Sequence, residues 1–251
     1  MIPTPIRQVL FTMQTSGTRT LLMGGQACVF YGAAQVSKDI DFLLLANPVN
    51  FEHLGVALKA LNASRIAVPK FDPAVLERGH AVHFRCADGV SAGLRIDIMT
   101  KLRDLPAFEE LWERRTTVTD ADGTQFQLLS VPDLVSAKKT QRSKDWPVIE
   151  ALVSIHILEN LTEPRPDWVI FWLMECRSPE QLLDLIARFP REAEIAIARR
   201  PLLALAIDPN LPRLREALDA EVRAEQEKDR IYWEPLKREM EAFRRAERAG
   251  F

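Results

Sequence analysis

The spacing of apolar residues changes near Leu129, and that change divides the expected fold in two. Before this point short apolar runs alternate with turn residues, and after it apolar positions recur at helical spacing. Thr4 and Pro5 read as a cap and a first-turn proline that open a helix through about Gln14. Thr20 to Met23 is a short apolar strand ending at Gly24, and Gln26 to Tyr31 is a helix that Gly32 terminates. Ile40 to Leu45 is apolar on both faces past Asp41, as in a strand interior to a sheet. Asn47-Pro48 opens a helix to about Leu61, and Ala63 to Pro73 reads as irregular, with a short helix at Ala74 to Glu77. His80 to Cys86 and Leu94 to Met99 alternate apolar and polar residues, joined through the turn residues Ala87, Asp88 and Gly89. Pro106 to Glu113 is a helix, and Thr116 to Thr119 with Gln125 to Leu129 forms a hairpin around Asp120 to Gly123.

From Ser130 onward nearly everything reads as helix. Ser130 to Asp133 caps a segment expected to extend to about Arg142. Further helices are expected at Pro147 to Leu161, Asp167 to Cys176, Pro179 to Phe189, Glu192 to Arg199 and from Leu211 on. The last stretch is dense in mixed charge, the pattern of a solvated helix laced with ion pairs, and Pro235 is expected to interrupt it. The fold class is therefore α/β (α+β), a small mixed sheet followed by an all-helical C-terminal region. Two domains are expected, 1–130 and 131–251.

Composition narrows the function classes. A chain of 251 residues has ample apolar material for a core. Its net charge of −2 supplies no global basic field for nucleic acid. Cys28, Cys86 and Cys176 are scattered without metal-ligand spacing, which suits a reduced, cytoplasmic setting. The N-terminus lacks the apolar core of a signal peptide, and no run reaches the roughly 18 apolar residues of a membrane helix. No membrane association is expected.

The candidate chemistry sits in GGQACVFYGAAQVSKDIDFLLL, Gly24 to Leu45. Residues two apart on a strand share a face, with about 6.6 Å between their Cα atoms. Asp39 and Asp41 therefore point the same way, and their carboxylates repel each other unless a cation lies between them. A third acid, Asp97, lies in LRIDIMT among apolar neighbours, where an unpartnered carboxylate is costly. A shared metal would supply the partner, and two ions about 4 Å apart would suit the three acids. Mg²⁺ fits such an oxygen donor set, with Mn²⁺ as an alternative. Gly24 and Gly25, at a strand-to-helix junction, would offer backbone N–H groups to phosphates. Ser37 and Lys38 add a hydroxyl and a cation immediately before the acidic pair. Together these residues suit a bound nucleoside triphosphate and its metal ions. Each fragment alone has a plainer explanation: a turn, a loop acid, an edge residue facing water. Their conjunction in this order carries the reading.

Met23-Gly24-Gly25, then Asp39-Ile40-Asp41, then Asp97 on a later strand, resembles the nucleotidyltransferase superfamily that shares the DNA polymerase β catalytic fold. The resemblance covers about residues 18 to 130. It implies that Asp39, Asp41 and Asp97 are catalytic and hold metal. A nucleoside monophosphate would pass from an NTP, ATP among them, to an acceptor hydroxyl with release of pyrophosphate. SVPDLVSAKKTQRSKDWPVIEAL, Ser130 to Leu152, is similar to segments of bacterial nucleotidyltransferase-like proteins related to abortive-infection toxin–antitoxin systems. That likeness implies that Lys138, Arg142 and Lys144 meet the triphosphate. Lys138 and Arg142, four apart, would share a helix face. The alternative is a solvated basic face, with Asp145 capping the next helix. Relatives often carry Arg or Thr just before the acidic pair, where this chain has Gln35 to Lys38.

The rival expectation is a non-catalytic nucleotide-binding or interaction module, antitoxin-like or degenerate. The acceptor, whether RNA, small molecule or protein, is not encoded in these motifs, and the helical C-terminal region is a place for a protein partner. His80 and His83, three apart on a strand, face opposite ways and do not suit a shared metal. His83 would lie beside Asp97 if their strands are neighbours; a satisfied or exposed histidine is the plainer expectation. Trp112, Trp146, Trp168, Trp172 and Trp233 fall mostly at apolar helix positions and read as packing residues.

Overall fold

Chain order alternates short strands with helices up to Leu128 and is helical thereafter. The structure is a computed structural model that describes residues 4–207 and 211–249. In order, the first part holds α1 (Thr4–Thr15), β1 (Thr20–Met23), α2 (Gly24–Phe30), β2 (Asp39–Leu44), α3 (Pro48–Ala60), β3 (Ala63–Arg65), α4 (Pro73–Glu77), β4 (Val82–Cys86), β5 (Arg95–Met99), α5 (Phe108–Glu113), β6 (Thr116–Thr119) and β7 (Gln125–Leu128). There follow α6 (Val131–Lys138), α7 (Trp146–Asn160), α8 (Pro166–Glu175), α9 (Pro179–Arg188), α10 (Pro190–Ile197) and α11 (Leu211–Ala249). Among the described residues no helix is long and apolar enough to cross a membrane.

The seven strands form one mixed sheet in the order β3-β4-β5-β2-β1-β7-β6. Strand β2 is interior, antiparallel to β1 and parallel to β5, as its two apolar faces predict. Ile40, Phe42, Ile96, Ile98, Val82 and Phe84 bury one face of these strands. By the two-residue period, Asp39, Asp41, Arg95, Asp97 and His83 share the other. Asn50 ties helix α3 to the sheet. Its side chain is buried, accepts from Arg19 N (2.7 Å), and donates to Arg19 O (3.1 Å) and Leu45 O (2.8 Å). Asn47 caps the same helix by accepting from Asn50 N at 2.7 Å.

Three local expectations are corrected. Ala63–Arg65, read as irregular, is an edge strand paired with β4. Three residues without apolar alternation carry no sequence signal, and the backbone ladder alone defines them. Helix α6 ends at Lys138, not near Arg142. Thr140 N turns back to Lys138 O (2.7 Å), and the Thr140 hydroxyl donates to Asp145 (2.5 Å), so side chains compete with the helical ladder. Pro235 does not interrupt α11, which runs through it. Packing of buried Leu236 and the helix-face pairs Glu225–Lys228, Glu227–Arg230 and Glu234–Arg238 offset the missing N–H.

Two compact units emerge. One comprises Met1–Phe30, Ala34–Ala137 and Tyr232–Phe251, the other Tyr31–Ala33 and Lys138–Ile231. This division does not follow the compositional change at Leu129: α6 up to Ala137 and the later part of α11 belong with the sheet. Within the sheet unit, His80 is buried, bonded through Nε2 to Glu239 (2.7 Å), and packed edge-on against Phe243. Within the helical unit, buried Arg200 donates to both oxygens of Glu221 (3.1 and 2.7 Å) and to Leu173 O and Cys176 O.

Candidate metal centre

Strand register brings the acids together. Asp41 is the partner of Asp97 across the parallel β2/β5 pair, and Asp39 is the partner of Arg95. The carboxylates of Asp39, Asp41 and Asp97 each offer an oxygen, and these oxygens lie within 4.8 Å of one another. Asp97 is buried, and the other two are partly exposed. Three hard oxygen donors this close form a set that one metal ion can share. Like charges held this close favour any cation placed among them.

The Gly-Gly pair earns its place sterically. Strand β1 ends with Met23 opposite Asp41, so the next residue passes directly over the Asp41 side chain. A Cβ on Gly24 would lie 2.7 Å from Asp41 Cβ and closer still to its carboxylate, and the backbone there has φ +67°. A Cβ on Gly25 would lie 2.6 Å from Ser37 Oγ. Only hydrogen fits at either position without movement. Both glycines begin α2, two residues earlier than the sequence suggests. Ser37 Oγ donates to Asp39 O (3.0 Å) and lies 3.2 Å from Asp39 Oδ1, so it holds the entry to β2. Lys38 is exposed beside it.

The partner of Asp97 comes from the protein itself. Arg95 donates from Nε to Oδ1 (2.7 Å) and from Nη2 to Oδ2 (2.8 Å), a fork on both oxygens. His83 Nδ1 lies 2.8 Å from Oδ1 and 3.0 Å from Arg95 Nη2. Burial pushes the Asp97 carboxyl up, but the bonds from His83 and Arg95 outweigh it and hold it below the usual carboxylate range. Arg95 is raised in turn, through its bond to Asp97 and, more weakly, the charges of Asp97, Asp39 and Asp41, against the opposing effect of burial. Arg95 is not among the residues expected at the site. The signal was present, because Arg95 precedes Asp97 by two on one strand, as Asp39 precedes Asp41.

The basic residues of the segment after the sheet belong to the helical unit. Lys138 is buried and lies 3.5 Å from Asp145, and Arg142 donates to the same carboxylate at 2.8 Å. Asp145 is buried between them and makes no capping bond to the helix that follows. Lys144 is exposed. The three thiols, Cys28, Cys86 and Cys176, are buried and unpaired with one another.

No protein-family model matches this chain, and no curated protein matches it.

Proposed function

We propose that the chain is a metal-dependent nucleotidyltransferase with a catalytic sheet of the polymerase β type. It would move a nucleoside monophosphate from an NTP to an acceptor hydroxyl and release pyrophosphate. The observation that carries this reading is the convergence of Asp39, Asp41 and Asp97 on one sheet face, with Gly24 packed directly against Asp41. In this reading Asp39 and Asp41 hold the divalent cation, which when bound supplies charge neutralisation for phosphoryl chemistry. Asp97 would serve the acceptor hydroxyl. Gly24 and Gly25 offer backbone to phosphate where a side chain would collide, and Ser37 and Lys38 flank the entry of the acidic strand. The reading rests on the sheet unit alone.

Incubation with α-labelled NTPs, total RNA and lysate tests it. Labelled acceptor is expected for the wild type, at least 100-fold less for Asp39→Ala, and an unchanged circular dichroism spectrum for the variant. Undiminished transfer by Asp39→Ala would sink the proposal. One observation favours a second reading, a nucleotide-binding module without catalysis: Arg95 already engages both oxygens of Asp97. NTP binding without transfer to any acceptor would select it.

A further inference from the structure

The number of ions this centre takes turns on Asp97, and most of its acceptor capacity is in use. A carboxylate has about four lone-pair directions. Arg95 fills one on each oxygen, and His83 addresses a second on Oδ1. Charge points the same way. Three carboxylates and one guanidinium sum to −2, which one divalent cation neutralises and a second would overshoot to +2. Arg95 is also held where it is. Its strand position fixes it on the acid-bearing face opposite Asp39, and the acids on both strands attract it.

We propose that, without nucleotide, this centre binds one divalent cation, between Asp39 and Asp41. Arg95 supplies at Asp97 the positive charge that a second ion would otherwise bring. The inference rests on the reading of the triad as a metal centre, and in the nucleotide-free state it puts an ion and a guanidinium where two ions would otherwise sit. Arg95 is then a positioning residue for Asp97 and sets metal stoichiometry.

The test counts bound Mn²⁺ per chain by electron paramagnetic resonance and isothermal titration, up to millimolar concentration and without nucleotide. One ion is expected for the wild type. Two are expected for Arg95→Gln, which keeps a polar side chain but removes the charge. Arg95→Lys keeps the charge without the fork and should stay at one. The wild-type count needs no variant to fold, and two ions there would overturn the inference, as would one ion in a folded Arg95→Gln. Two ions in a wild type that transfers label would overturn the inference and leave the nucleotidyltransferase reading standing. No bound Mn²⁺ in the wild type would overturn the inference, and label transfer would then decide the nucleotidyltransferase reading by itself.

Discussion

At the scale of single residues, the candidate site is defined as much by absent side chains as by present ones. Gly25 and Ser37 give a compensation test. Gly25→Ala places a methyl 2.6 Å from Ser37 Oγ, and removing that oxygen in Ser37→Ala relieves most of the conflict. We expect Gly25→Ala to cost about 1–3 kcal/mol in urea unfolding and the double variant to recover at least half of that. Glu221 gives a pH test. Burial pushes its carboxyl up, and the bond and charge of Arg200, with the charge of Arg177, outweigh that and lower it. A lowered native value means that stability is full above the ordinary glutamate pKa of 4.5 and is lost as pH falls below it through the native value. Thermal melts from neutral to acid pH should show this loss in the wild type and a flatter profile in Glu221→Gln. At neutral pH that variant should be less stable by about 3–5 kcal/mol, because buried Arg200 loses its counter-charge.

Elements were legible in the sequence where side-chain pattern creates them, and illegible where backbone or distant partners do. β1, β2, β4 and β5 follow apolar periodicity, so the acid-bearing face was readable from Asp39, Asp41 and Asp97 alone. The edge strand at Ala63–Arg65 was not, since its definition lies in the β4 ladder. Arg95 was readable by the same period-two rule but pairs within its own strand, a relation that a search for acids overlooks. The end of α6 depended on Asp145 collecting Thr140 and Arg142, a tertiary arrangement that helical spacing cannot report. Helix α11 shows the converse, tertiary packing overriding a local signal at Pro235. Proline there removes one ladder bond and crowds the preceding turn, at about 3 kcal/mol. Pro235→Ala should therefore raise the melting temperature by several degrees, and a fall would show that the ring itself is needed for packing.

For the whole molecule, net charge of −2 gives no long-range attraction for nucleic acid, so ligand recognition rests on local groups. A ligand that binds only the native state must stabilise it. At a hundred times its dissociation constant, an NTP with Mg²⁺ should add about 2.7 kcal/mol, read as a rise in melting temperature that Asp41→Asn removes. The order of the two units along the chain has a consequence for synthesis. Lys138–Ile231 is nearly the whole of the helical unit and leaves the ribosome as one stretch, whereas the sheet unit waits for Tyr232 onward. Until Glu239 and Phe243 emerge, His80 lacks the described partners of its side chain and the sheet unit stands unfinished. A chain truncated before Glu239 and released from the ribosome should therefore show a protease-resistant helical unit and a susceptible sheet unit, although the sheet was translated first.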